Sequence, residues 1–385
     1  MSAPTRSRPS SSSTAETGRL GRLGRLVATP VRRHLLGALL AVVVIVLVLE
    51  SVSTFRQSQL TSVAYLAVAA GGLTVLTGLN GQLSLGHGAF MAIGAYTAAL
   101  MLRANASGWS VPLVLLAATV TAGVVGVVVG LAAARLHGPY LAGATLALAV
   151  AVPGLALYFS EYLGGEQGLI VPSPDVPRAL DDIAYFVTGN ELTSTKFVAY
   201  VSWFLLVVVF VVLANLSVGR VGRQWRAVRD DDVAAEIAGI DLARSRILAF
   251  VVSAACAGAA GAVMAMASRI AAPSGFTLVL SLTLLSAVVI GGLGTLSGAL
   301  LGAALLTYIP PVVTNLGLDG GLTSLQAAEL APLVTGIFTV LVILFAPLGL
   351  VGTVRTRYLR YRLSRATRTG PDPHDPNDPE KEGTR

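Results

Sequence analysis

The sequence predicts an all-α polytopic membrane protein with about ten transmembrane helices, on three observations. Hydrophobic residues make up 54% of the 385 residues and charged residues only 12%, with a mean hydropathy of +0.74. Soluble domains carry about 25% charged residues. Long apolar segments recur along the chain, and most of the arginines gather in three places outside them. Membrane spans therefore set the architecture, in place of a single soluble core.

Ten apolar segments approach the length needed to cross a bilayer, which is about 20 helical residues. The segment 83–102 and the pair around Gly291 to Gly298 contain glycines that would allow a broken or re-entrant path. Eight spans plus a re-entrant pair is therefore the alternative. The ten segments are 35–49, 60–79, 83–102, 111–134, 140–159, 197–216, 247–267, 277–290, 296–313 and 332–345.

The arginines predict the orientation. Seven precede the first apolar segment, six lie between residues 219 and 246, and six follow the last segment, between residues 355 and 368. Cytoplasmic loops are enriched in Lys and Arg, so all three regions are predicted to be cytoplasmic. Six segments separate the first two regions and four separate the last two; both numbers are even, as a common side requires. Membrane orientation thus explains the net charge of +7, and no nucleic-acid partner is expected.

These assignments divide the chain into a membrane domain and two tails. Residues 1–33 are predicted to form a basic, disordered cytoplasmic tail, and residues 351–385 a second one, disordered from about residue 370. The transmembrane domain is 34–350. Its loop 217–246 faces the cytoplasm, and its loop 160–196, with six acids against two basic residues, faces outward.

The apolar segments lack ionisable residues away from their ends. Ion-coupled transporters usually keep such residues at membrane depth, because the coupling ion needs a titratable or anionic site. The sequence also lacks metal-binding and catalytic motifs, and its single cysteine, Cys256, lies in an apolar segment. No catalytic residue, metal or cofactor is therefore expected. If the protein moves a solute, a separate ATPase subunit supplies the free energy, since the sequence contains no P-loop.

A strongly charged loop separates two apolar segments near the middle of the chain. Arginine recurs every third residue from Arg220 to Arg229 and is followed by three aspartates, 230–232. The run 233–239 contains good helix formers; the aspartates lie where a helix N-terminus favours negative charge, and Gly239 lies where a helix would end. Ala234 and Ala238 would share one small-residue face. The loop is either a docking site for a soluble partner or only a basic topology signal.

A glycine-rich segment, 78–96, places polar side chains between the second and third apolar segments. Glycines at five of its nineteen positions allow close helix packing or an unwound backbone. Asn80, Gln82, Ser84 and His87 add polar groups that cannot face lipid without a free-energy penalty. The segment is either an irregular, polar part of a translocation path or a packing region with a polar turn.

Five blocks of the sequence resemble the permease subunits of branched-chain amino acid ABC importers, the M-type permease in particular. They occur in the family's order between about Leu60 and Leu350. The blocks are GLNGQLSLGHGAFMAIGAYTAAL from residue 78, RLHGPYLAGATLALA from 135, LGGEQGL from 163, GRQWRAVRDDDVAAEIAGIDLARSRILAFVVSAACAGAAGAV from 222 and AVVIGGLGTLSGALLGAALL from 287.

The resemblance implies the ABC importer permease fold, in the bacterial plasma membrane, with both termini cytoplasmic. It implies a heterodimer with a second permease, two cytoplasmic ATPase subunits and an extracytoplasmic solute-binding protein. The chain would translocate branched-chain or similar amino acids and would not itself be an enzyme. A coupling helix in the charged loop would sit in a cleft of the ATPase. The candidate coupling residues are Arg226, Arg229, Asp230, Ala234, Glu236, Ala238 and Gly239, and the candidate substrate-path residues are Asn80, Gln82, Ser84, His87, Tyr140 and Thr145.

The sequence departs from the family pattern after Thr145. Many relatives carry an acidic residue and then a basic one where this chain has Val150 and Pro153. Urea, short amides or another small polar solute therefore stay open as substrates. Two other classes are also open: an ion-coupled secondary transporter, which the uncharged segments disfavour, and a structural membrane protein, which the polar glycine-rich segment disfavours.

The predicted topology is testable by thiol labelling of intact cells in a Cys256→Ala background. Single cysteines at Ser11, Ser217 and Thr369 should resist an impermeant thiol reagent, because arginine-rich regions stay on the cytoplasmic side. A cysteine at Ser173 should react. Reaction at any of the first three positions would contradict the topology.

Overall fold

The computed structural model describes residues 30–103, 110–136, 138–188 and 191–368, and within these ranges the chain is mostly helical. Two short strands, β1 (Leu169–Ile170) and β2 (Ile270–Ala271), pair antiparallel, and single 3₁₀ turns cover Gly165–Gln167 and Pro273–Phe276. The helices are α1 (Pro30–Ser51), α2 (Thr54–Leu73, continued by a π-helix at Thr74–Leu79), α3 (His87–Arg103), α4 (Val111–Arg135), α5 (Pro139–Tyr158), α6 (Ser160–Leu163), α7 (Arg178–Thr188), α8 (Ser194–Val218), α9 (Arg220–Asp230), α10 (Asp232–Ile237), α11 (Leu242–Ser268), α12 (Leu278–Gly291), α13 (Leu296–Asp319), α14 (Ser324–Phe345) and α15 (Gly349–Arg368).

The predicted all-α polytopic fold is confirmed. In the described ranges, nine helical segments are long and apolar enough to cross a membrane, and they match nine of the ten predicted segments. The tenth is α3, a helix of 17 residues that is preceded by the non-helical stretch 80–86. The segment predicted to start at Leu83 therefore begins as a helix only at His87.

Local signals explain several helix starts. Pro30 begins α1, and Pro112 and Pro139 lie in the first turns of α4 and α5, where the missing proline N–H has no helical partner in any case. The start of α14 lies eight residues before the predicted Pro332. A capping box sets it: Thr323 and Gln326 satisfy each other's backbone N–H groups.

The helices define two ends of the bundle. His34 near the start of α1, Ser217 near the end of α8 and Arg355 in α15 line one cavity, so they share one end, called here the arginine-rich end. At the opposite end, β1 of the acid-rich loop 160–196 pairs with β2, directly after α11. Which side of the membrane each end faces stays a prediction.

Small residues form the centre of the bundle, where α11 packs against α3 and α4. Seven small residues of α11 between Ala254 and Ala262 are buried. A Cβ atom added at Gly261 would overlap the Met91 carbonyl oxygen of α3, and one added at Gly258 would overlap Ala122 of α4. Close backbone approach of this kind is how helices associate in lipid, where apolar burial gives no net drive.

Polar contacts hold the outermost helix, α1, to α8 at both of its ends. Only 6% of the apolar span of α1 is buried. Near its end, Glu50 accepts hydrogen bonds from the Lys196 ammonium at 2.7 Å and from the Tyr200 hydroxyl. Near its start, the His34 Nδ1 atom lies 2.7 Å from the Asn215 Oδ1 atom. Charged pairs of this kind in a membrane helix satisfy groups that lipid cannot.

The predicted tails lie mostly outside the described residues. Residues 30–33 of the first predicted tail form the first turn of α1, and residues 351–368 of the second are helical. The predicted disorder at 1–29 and from about 370 stays a prediction.

Packing at α11 generates a stability prediction. Gly261→Ala should lower the free energy of unfolding by about 1–3 kcal/mol, because the new methyl overlaps backbone that cannot move independently. Gly336→Ala in α14 is the matched control: it is also a helical glycine, but an added Cβ meets nothing within 4 Å. The apparent melting midpoint of the purified protein in detergent measures both. Equal midpoints for the two variants would contradict the packing.

Candidate functional site

The glycine-rich stretch forms a non-helical connection inside the bundle. The π-helix at the end of α2 widens its last turn, and the backbone N–H groups of Asn80 and Gln82 donate to the carbonyls of Val75 and Leu76. Non-helical backbone then continues to His87, where α3 begins. Residues 78–87 are called here the polar segment. π-Helical turns recur at functional sites because they break the regular hydrogen-bond ladder.

All four predicted side chains of the polar segment are buried. Ser84 and His87 have no exposed surface, and Asn80 and Gln82 are 3% and 7% exposed. Asn80 Nδ2 donates to Ser245 Oγ of α11 at 3.4 Å. The Ser84 hydroxyl accepts a long bond from the Gly86 N–H.

Hydroxyl groups from two other helices hold the backbone of this segment and of the first turn of α3. Thr145 of α5 accepts from the Leu85 N–H at 3.0 Å, and Ser281 of α12 accepts from the Gly88 N–H at 2.9 Å. Thr77 donates to the Gln82 carbonyl. Thr145 is thus brought to the predicted site. Tyr140 is not: its side chain is 77% exposed on the surface of this chain.

Several buried polar atoms of the segment have no partner among the described residues. These are Asn80 Oδ1 and both amide atoms of Gln82; the His87 ring lies against the Ala69 backbone without a well-formed hydrogen bond. An unsatisfied buried polar group costs about 1–3 kcal/mol, so native proteins retain few of them. The segment therefore offers hydrogen-bond donors and acceptors to water or to a polar solute.

The charged loop 219–246 folds onto the bundle through α9. Gly222, Trp225 and Val228 form its buried face. Trp225 is fully buried, and its indole N–H donates to the Ser245 carbonyl at 3.1 Å. Sequence reasoning missed this anchor, although these residues recur every third position, as the arginines do.

The short helix α10 projects from this base. Asp231 caps its N-terminus by accepting from the Ala234 N–H, and Asp232 pairs with Arg246 of α11. Gly239, with φ of +82°, ends it in a Schellman motif: its N–H donates to the Glu236 carbonyl while the next N–H donates to that of residue 235. The predicted role of Gly239 as the end of this helix is confirmed, and the helix itself is Asp232–Ile237 in place of 233–239.

The exposed face of α10 is more apolar than predicted. Ala234, Glu236, Ala238 and Gly239 are all exposed, but so are Val233 and Ile237, at 67% and 84%. Ala238 follows the last helical residue and serves as the C-cap. The protruding surface therefore combines two branched apolar side chains with small residues and one carboxylate.

Most of the charged residues before α10 are exposed, but two of the arginines also bond to helix ends of the bundle. Arg226 donates to the Ser217 carbonyl at the end of α8 at 3.0 Å. Arg229 donates to the Gly78 carbonyl at the end of the π-helix at 2.6 Å and pairs with Asp230 at 2.9 Å. A cation at helical C-terminal carbonyls is favourable because these carry partial negative charge. Arg229 thus joins the charged loop directly to the polar segment.

The helices, the charged loop and the polar segment together define a polytopic membrane protein. In it, a loop at the surface contacts an irregular polar segment inside the bundle. Residues 56–346 match the family described as "Branched-chain amino acid transport system / permease component". The match covers more than two thirds of the sequence, and the chain belongs to this family.

Individual relatives agree with the family. The chain is 32% identical over 292 residues to the high-affinity branched-chain amino acid transport system permease protein LivM of Salmonella typhimurium, covering 72% of this chain and 66% of that protein. It is 29% identical to BraD of Pseudomonas aeruginosa, covering 62% of this chain and 79% of that protein. It is 26% identical to LivH of Escherichia coli, covering 74% and 90%. No solved structure matches the chain.

Proposed function

We propose that this chain is a membrane permease subunit of an ABC importer that carries branched-chain or similar amino acids across the bacterial plasma membrane. Its arginine-rich end faces the cytoplasm in this proposal, because basic loops stay on that side. Family membership supports the permease role, and the printed names of its relatives support the substrate class. The match to LivM spans about two thirds of that protein's length, so activity, substrate and partners are all part of the proposal.

One observation carries the mechanism: the charged loop and the polar segment touch through Arg229. Its guanidinium donates to the Gly78 carbonyl, and its aliphatic stem lies beside Gly81. A second link runs from Asn80 to Ser245, whose carbonyl holds Trp225 of the same loop. A displacement of the loop would therefore move the start of the polar segment directly.

In this mechanism, α10 is the coupling helix and docks into a groove of a cytoplasmic ATPase. Val233 and Ile237 supply apolar surface for the groove, while Glu236 adds a charge that fixes register. Arg226 and Asp230 hold the base of the loop in place. Two ATPase copies suit a permease heterodimer, in which each subunit presents one such helix.

The polar segment is proposed as part of the substrate path. An amino acid carries an ammonium, a carboxylate and, in the branched-chain class, an apolar side chain. The unsatisfied amide of Gln82 and Oδ1 of Asn80 could bond the ammonium and carboxylate of the amino acid. The neighbouring apolar helices could contact its branched side chain. Tyr140 belongs to this path only if the second permease covers it, because it is exposed in this subunit.

The remaining partners follow from the same class of importer. The partner permease is proposed to be a different chain, since this sequence is more similar to LivM than to LivH, at 32% and 26% identity. An extracytoplasmic binding protein would dock at the opposite end, which carries the loop 160–196. Urea or short amides are the alternative substrates and are distinguished by uptake competition.

Two variants separate docking from translocation in the reconstituted complex. Glu236→Lys should abolish ATPase co-purification, because a wrongly signed charge at an interface costs about 2–5 kcal/mol. Gln82→Leu should keep the ATPase bound but lower uptake of radiolabelled leucine, because the path loses a polar group. Wild-type binding and uptake in Glu236→Lys would contradict the docking role, and wild-type uptake in Gln82→Leu would contradict the path.

The link itself is tested by Arg229→Gln, with Arg223→Gln as the matched control. Both arginines donate to a backbone carbonyl, but that of Arg223 belongs to Val218 of α8 and not to the polar segment. Arg229→Gln should keep the ATPase bound while raising the ATP hydrolysed per leucine imported several-fold. The control should leave this ratio unchanged. An unchanged ratio in Arg229→Gln would show that the loop acts through other contacts.

A further inference from the structure

The turn between α12 and α13, residues 292–295, is called here the glycine turn. The sequence around it, GGLGTLSG, belongs to one of the five family-like blocks, and it has no part in the proposed coupling of charged loop and polar segment. Gly294 and Thr295 line a cavity of about 440 Å³ at the arginine-rich end, together with Leu79 of the polar segment. The glycine turn therefore lies beside the start of the polar segment.

The glycine turn touches the polar segment backbone to backbone. A Cβ atom added at Gly78 would overlap the Gly294 nitrogen, and one added at Gly294 would lie 3.3 Å from the Gly78 carbonyl oxygen. This carbonyl is the one that accepts a hydrogen bond from Arg229. The same peptide at the start of the polar segment is therefore in contact with two elements, the charged loop and the glycine turn.

Internal hydrogen bonds fix the shape of the glycine turn. The Thr295 N–H and the Thr295 hydroxyl both donate to the Gly292 carbonyl, at 3.2 and 2.9 Å. Gly294 has a φ of +83°, in the left-handed region that few residues other than glycine and asparagine adopt. Helix α12 ends directly before the turn and α13 begins directly after it. The positions of these two helices therefore set where the turn meets Gly78.

The glycine turn also touches the start of the arginine-rich helix α15. A Cβ atom added at Gly349, the first residue of α15, would overlap the Gly292 backbone. Backbone contacts therefore run from α15 through the glycine turn to Gly78. Through these contacts, a displacement of α15 would reach the polar segment without passing through the charged loop.

We propose that the glycine turn is a second positioning element of the polar segment: it holds the Gly78 carbonyl within reach of Arg229 and connects the segment to α15. Gly294 is the positioning residue, because only the absence of a side chain allows the backbones to meet. A side chain at this position displaces Gly78 and the polar residues that follow it. This inference rests on the proposed function, since the contact affects transport only if the polar segment is part of the path.

The test compares Gly294→Asn with Gly321→Asn. The two glycines have nearly the same φ, +83° and +84°, and Asn tolerates such values better than most side chains do. Their surroundings differ, because a Cβ atom at Gly321 meets nothing within 4 Å. Hydrogen–deuterium exchange of the purified full chain should be several-fold faster at residues 78–87 in Gly294→Asn, because the displaced backbone loses protecting hydrogen bonds. Gly321→Asn should exchange there at the wild-type rate.

The transport readout is the ATP hydrolysed per leucine imported by the reconstituted complex. Gly294→Asn should keep the ATPase bound and raise this ratio several-fold, whereas Gly321→Asn should leave it unchanged. A merely structural role would lower the melting midpoint without changing the ratio. Combining Gly294→Asn with Arg229→Gln should raise the ratio by less than the product of the two single effects, since both variants act on Gly78.

The link to α15 is tested by Gly349→Asn. Gly349 also has a left-handed φ, of +72°, and its new side chain would overlap the Gly292 backbone. The displaced turn should make exchange at residues 78–87 faster than in Gly321→Asn. Wild-type exchange at these residues would overturn the link to α15.

Gly78→Ala covers the case in which Gly294→Asn folds poorly, with Gly336→Ala as its matched control. Both glycines are helical, but only at Gly78 does the added methyl overlap a neighbour, the Gly294 backbone. Gly78→Ala should reproduce the faster exchange. Wild-type exchange at residues 78–87 in both Gly294→Asn and Gly78→Ala would overturn the proposal, as would equal changes in each variant and its control. A wild-type ATP-to-leucine ratio despite faster exchange would overturn it too, whereas wild-type uptake in Gln82→Leu would contradict the path and not this contact.

Discussion

Hydrogen bonding of the backbone in lipid is the constraint on which this structure depends. Water is absent from the bilayer core, so each N–H and C=O group there needs a partner in the protein. Helices satisfy this requirement internally, and the chain departs from helix only where other groups supply the bonds. At the polar segment these groups are the hydroxyls of Thr77, Thr145 and Ser281 and the guanidinium of Arg229.

The same constraint explains why the polar segment is central and not peripheral. Its backbone is bonded by α5, α9 and α12, and its Asn80 side chain reaches α11. Small residues in α11 let α3, which begins where the segment ends, pack closely against the centre of the bundle. An irregular segment that faced lipid would expose its N–H groups to a solvent unable to accept them.

The charged loop is anchored to the bundle through α9 and exposed to solvent through α10. In α9 the indole of Trp225 is buried and the arginines bond to helix ends, whereas α10 presents Val233, Glu236 and Ile237 to solvent. A rigid base beneath a projecting helix can transmit displacement, since the base shares hydrogen bonds with the polar segment. The proposed coupling role depends on this division more than on the loop's net charge.

The class, the spans and the two informative regions were accessible from sequence because they depend on local properties. Apolar length and charge position determine where a helix crosses a membrane, and Gly239 determines where α10 ends. Long-range contacts were not accessible in this way. The bond from Arg229 to Gly78 joins two positions that are far apart in the chain. Whether Trp225 is buried and Tyr140 exposed likewise depends on which distant helices pack beside them. Arg223 and Arg229 are the same residue type in one helix, yet they bond to different helix ends: Arg223 to the Val218 carbonyl and Arg229 to the Gly78 carbonyl. Helix packing decides which carbonyl each one reaches. Tertiary structure alone therefore decided which polar residues meet, because that depends on how the helices pack and not on their individual propensities.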